Sequence, residues 1–60
     1  MEKQTYAVFQ DYGVFNLYDV ETENHVKNVL CPEDIDGFEV ERQWFMQWCA
    51  ENNVEPIFDN

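Results

Sequence analysis

Asp36–Asn53, DGFEVERQWFMQWCAENN, is the stretch whose reading decides the fold. It holds both tryptophans, Trp44 and Trp48, and sets Phe38, Val40, Phe45 and Cys49 at helical spacing around them. On a wheel of 100° per residue these six occupy about half the circumference, the width of a face that packs on a core. Glu39, Arg42, Gln43, Gln47 and Glu51 lie outside that face or at its edge, and Met46 and Ala50 lie opposite it. Asp36 with Glu39 three residues on matches an acidic-cap form of the capping box, which starts the helix at Asp36. Glu39 and Glu41 also suit the positive end of its dipole. Asn52-Asn53 ends it.

Upstream, the pattern changes to β. Thr5–Gln10 (TYAVFQ) is β-branched and aromatic and reads as a strand. Asp11-Tyr12-Gly13 reads as a three-residue hairpin loop with Gly13 left-handed. Val14–Glu21 then returns, with Phe9 facing Phe15 and Ala7 facing Leu17. The turn Thr22-Glu23-Asn24 leads into His25–Cys31, with Leu17 facing Val29 and Phe15 facing Cys31. The expected inner face is Ala7, Phe9, Phe15, Leu17, Val29 and Cys31. The expected outer face holds Tyr6, Val8, Val14, Tyr18, Val20 and Val26, and a slip of one residue would exchange the two. Pro32 ends the third strand. After the helix, Val54–Phe58 reads as a short strand or an extended tail, confined to a sheet edge by Pro56. The expectation is one α+β domain: a three-stranded antiparallel β-meander packed on one amphipathic helix, with a short fourth edge strand.

Sixty residues hold one domain with little surface to spare, because a chain this short buries only about 60% of its unfolded surface. Ten aromatic residues (17%) and 45% apolar content exclude a disordered chain. Thirteen acids against three bases give a formal net charge of −10. Such a charge repels nucleic acid and anionic membrane and steers the chain toward basic surfaces. Eight of the acids fall between Asp19 and Glu41. The first ten residues, MEKQTYAVFQ, hold no apolar leader segment, and no run approaches the ~20 apolar residues that span a bilayer. A cytoplasmic protein with reduced Cys31 and Cys49 is expected, a sheet-to-helix disulfide being the alternative.

Chemistry finds little to stand on. Asp19-Val20-Glu21-Thr22 resembles the first motif of the two-metal 3′–5′ exonucleases, D-x-E-T at the end of a strand. The resemblance covers four residues, and such enzymes hold their metal pair, ~3.5–4 Å apart, with further carboxylates on a longer fold. Asp34-Ile35-Asp36-Gly37 has the centre of a calcium loop, but Pro32 and Gln43 then stand where an EF-hand needs acids. His25 is the only histidine, placed at a turn. There is no phosphate-binding glycine loop and no zinc spacing, so neither an enzyme nor a cofactor or metal is expected.

The functional expectation is a small acidic protein-binding module. It would act as an inhibitor or nucleic-acid mimic on a basic surface of a partner enzyme, as small acidic proteins of phages and mobile elements do. The contact residues expected are Glu33, Asp34, Asp36, Glu39 and Glu41, then Asp19, Glu21 and Glu23. The alternative is a structural protein that homodimerises through the outer sheet face at Tyr6, Val8, Tyr18 and Val26, because large exposed apolar patches mark contact sites.

Overall fold

The computed structural model describes residues 2–59. It contains β1 (Gln4–Asp11), β2 (Val14–Asp19), β3 (His25–Leu30), α1 (Phe38–Glu51) and β4 (Val54–Phe58). The sheet order is β3-β2-β1-β4. β1, β2 and β3 form the antiparallel meander, and α1 packs on one of its faces. β4 lies beside β1 and runs parallel to it, with Gln4 facing Val54 and Val8 facing Phe58. An up-down-up meander leaves β3 pointing the same way as β1. A further strand parallel to both needs a crossover of a dozen or more residues. The 31–37 connector and α1 supply that crossover from one sheet edge to the other. Pro56 sits on this edge strand, where its missing N–H is tolerated.

The core is Val8, Phe15, Leu17 and Val29 from the meander, Phe45 and Cys49 from α1, and Val54 from β4. The Phe15 and Phe45 rings stack at 4.1 Å and 8°. Phe45 also stacks on Trp48 at 5.6 Å and meets Phe58 edge-on at 6.0 Å. Each large side chain buried this way contributes about 1.5–3 kcal/mol before ordering entropy.

The register of β1 differs from the expected one by a single residue. Asp11 pairs with Val14 and Val8 with Leu17, so only Tyr12 and Gly13 form the loop. Gly13 takes φ 72, which a glycine adopts without strain. The slip turns Tyr6, Val8 and Gln10 inward and Ala7 and Phe9 outward. Val8 therefore leaves the proposed dimer face and is fully buried, while Phe9 is 45% exposed. Tyr6 leaves it too and packs against the core from its edge. The polar residue on the inner face is what misleads the sequence reading, and the structure satisfies it. Gln10 Nε2 donates to the Phe38 carbonyl at 2.9 Å, and its Oε1 accepts from Arg42 Nε at 3.1 Å.

β3 pairs with β2 two residues out from the expected register, Phe15 with Val29 and Leu17 with Lys27, with an irregularity between Leu17 and Tyr18. The cause is Asp19, whose carboxylate accepts from the Glu21 and Thr22 N–H groups at 2.8 and 2.9 Å. An Asx-type turn of this sort diverts the chain, and β2 ends at Asp19 instead of Glu21.

The helix starts one residue later than expected. Its N-cap is Gly37, with no side-chain cap, and Asp36 stays outside. Gly37 enters at φ 108, ψ 138, a region reserved for glycine, and its carbonyl accepts from Glu41 N at 2.9 Å. The buried line is Glu41, Phe45 and Cys49. Trp44 and Trp48 flank it as partly buried rings, while Phe38 and Val40, expected in the core, are 47% and 50% exposed. At the other end, Asn52 donates through N and Nδ2 to the Trp48 carbonyl at 3.0 and 2.8 Å. Asn53 takes φ 56 and hands the chain to β4.

Candidate interaction surface

Seven of the eight acids expected to make contacts divide into two groups at opposite ends of the strands. Glu33, Asp34, Asp36 and Glu39 lie on the connector and first helical turn, and all four are exposed. This is the end of the sheet at which Cys31 N donates to the Gly13 carbonyl at 3.0 Å. Asp19, Glu21 and Glu23 lie at the other end, around the β2–β3 loop, since β2 runs from Val14 beside Leu30 to Tyr18 beside His25. The expected contact residues thus form two sites.

Glu41 belongs to neither group. It faces inward, 7% exposed, and its carboxylate accepts from Gly13 N at 3.1 Å. It pins the β1–β2 turn to the helix. Asp19 has a structural duty as well. The two backbone N–H groups it accepts hold its carboxyl below the usual carboxylate range, because they stabilise the charged form.

Eleven of the thirteen acids are exposed; Asp19 is half-buried and Glu41 buried. Two of the three cations are drawn to aromatic rings at the rim of the core. Lys27 Nζ lies 5.4 Å from the Trp48 centroid, and Arg42 Cζ lies 4.1 Å from that of Phe58 and 5.2 Å from that of Phe38. Each such contact contributes about 0.5–1 kcal/mol where water has access. Positive charge is spent along the inner rim, and negative charge dominates the rest of the surface.

The face of the sheet turned away from α1 carries apolar residues around a central polar pair, Asn16 and Asn28. Ala7 and Phe9 from β1, Val14 and Tyr18 from β2, and Ile57 from β4 line it. Leu30 is 73% and Ile57 54% exposed. Of the residues expected there, Val14 and Tyr18 are on it by register, Val20 follows on the same side near the loop, and Val26 falls in the irregularity of β3. Phe9, Leu30 and Ile57 were missed. Period-2 alternation points to them once Val8 is fixed as inward.

Burial pushes the Cys49 pKa up to about 11. Burial, with the nearby Glu41 and Asp34 carboxylates, also raises that of Cys31. Both cysteines are free. Among the described residues no group of three or more His, Cys, Asp or Glu side chains is placed to hold a metal ion. Among the described residues no helix is long and apolar enough to cross a membrane. No family model, no curated protein and no solved structure matches this chain.

Proposed function

We propose that this chain is a small acidic protein-binding module that engages a basic surface of a protein partner. It acts there as an inhibitor or nucleic-acid mimic rather than as a catalyst. The observation that carries the reading is the separation of charge: eleven exposed acids, against cations of which two are engaged by aromatic rings. A surface of this kind attracts a basic partner over several ångströms and speeds encounter. Glu33, Asp34, Asp36 and Glu39 are the primary contact residues, standing together on one connector and helix start.

Capture of a partner from the native host lysate at low and high salt tests this. Exposed charges are screened within about 8–10 Å at 0.1–0.15 M salt, so binding falls steeply as ionic strength rises. A partner held equally well at both salt concentrations would overturn the reading. A second reading is favoured by the exposure of Phe9, Leu30 and Ile57: a homodimer joined through the outer sheet face. Sedimentation separates the two, because a concentration-independent monomer removes the dimer.

A further inference from the structure

A hollow of about 350 Å³ opens on the outer face of the sheet, near the end where β2 turns into the loop. It is lined by Ala7, Phe9, Tyr18 and Val20 and by three acidic residues, Asp19, Glu23 and Asp59, of which Asp19 already turns its carboxylate to the Glu21 and Thr22 N–H groups of the loop. Chain topology gathers them. Ala7 pairs with Tyr18, which sets Phe9 and Tyr18 on one face of adjacent strands. Asp59 N donates to the Val8 carbonyl at 2.8 Å, extending β4 alongside Phe9. Glu23 N donates to the Asp19 carbonyl at 2.8 Å, which curls the loop over β2. The volume lies at the low end of the ~300–1,000 Å³ of ligand pockets.

We propose that this hollow receives an arginine side chain of a protein partner. This rests on the reading of the chain as a binder of basic proteins, and it gives that binding a specific place. An apolar, aromatic lining beside the acidic residues Glu23 and Asp59 suits a long apolar stem that ends in a cation. Arginine fits better than lysine, because its planar guanidinium stacks on aromatic rings and pairs in a bidentate manner with carboxylates. The molecule already uses this chemistry on its inner side, where Arg42 lies 4.1 Å over Phe58. On the outer side the rings and acids are present, and no Lys or Arg of this chain lines the hollow. A second copy of the chain is a poorer occupant, since its own acids would meet these.

The test is an NMR titration of the full chain with N-acetylarginine methylamide, beside its citrulline counterpart. Citrulline keeps the stem and the planar head but lacks the charge. Saturable shifts are expected at Ala7, Phe9, Tyr18, Val20, Glu23 and Asp59, with citrulline weaker by about tenfold or more, as loss of a charge-assisted contact requires. Glu23→Gln with Asp59→Asn should weaken arginine binding several-fold while the rest of the spectrum stays unchanged. Asp19 is left intact because it holds the loop. Equal binding of citrulline overturns the proposal, as does concentration-dependent broadening at these residues without ligand. Shifts confined to residues 33–39 overturn the hollow but leave the acidic binder standing. Absence of any saturable shift overturns the hollow, and salt-insensitive partner capture separately removes the broader reading.

Discussion

The two faces of the sheet are built from neighbouring residues of the same strands, and they meet opposite fates. On the inner face, Val8, Phe15 and Leu17 are completely buried under Phe45 and Cys49. On the outer face, Phe9, Leu30 and Ile57 stay about half exposed or more, and none of the described elements forms a second layer above them. A chain with one helix can cover one side of a four-stranded sheet. The difference teaches that apolar content alone did not choose the side. The polar residues did, by finding partners: Gln10 with Phe38 and Arg42, and Glu41 with Gly13. A buried polar group without a partner costs several kcal/mol, so the face that can satisfy its polar members is the one that closes.

The largest effect that tests this contrast is removal of the ring at the centre of the inner face. Phe45→Ala deletes the stack on Phe15 and should cost about 3–5 kcal/mol. A 60-residue domain, at about 0.05–0.15 kcal/mol per residue, holds roughly that much stability in total. Circular dichroism should therefore find the variant largely unfolded at room temperature. A cooperative melt within a few degrees of the parent would break the claim that the core centres on Phe45.

A smaller effect separates the two kinds of acid. Glu41→Ala leaves the Gly13 N–H without its acceptor and should cost about 1–3 kcal/mol, whereas Glu41→Gln keeps an acceptor oxygen and should cost less. Glu39→Ala, on an exposed turn of the same helix, should fall within about 0.5 kcal/mol of the parent. Equal losses at 39 and 41 in chemical denaturation would show that Glu41 is another surface charge.

How much of this was legible in the residues follows from the same contrast. The meander, the single helix and the edge position of Val54–Phe58 were readable, because each rests on periodicity or on a property of proline that neighbours do not alter. Register was not, since Tyr6-Val8 and Ala7-Phe9 offer similar apolar faces and only Gln10 distinguishes them. Its inward placement depends on Arg42 and Phe38, some thirty residues away. The helix cap was misread for a related reason. Asp36 has the right chemistry, but the chain needs the φ of 108 at Gly37 to swing from connector into helix. The hollow was invisible because it joins Ala7 and Phe9 with Tyr18, Val20, Glu23 and Asp59, which only the correct register and the parallel β4 bring together.

The finest test of the contrast uses two adjacent residues of β1. Val8→Thr places a hydroxyl in a fully buried site of nearly unchanged volume within the apolar core cluster and should cost about 1–3 kcal/mol. Phe9→Thr, one residue on, places a β-branched side chain, which suits a strand, at a half-exposed position. It should shift stability by less than about 1 kcal/mol. Urea midpoints of the two variants decide between the registers. With Asp11 facing Val14, position 8 is the sensitive one. Had the loop contained three residues, Phe9 would stand against Phe15 in the core and the order would reverse. The alternation of costs along two consecutive residues thus reads out which face the helix covers, independently of any partner the outer face engages.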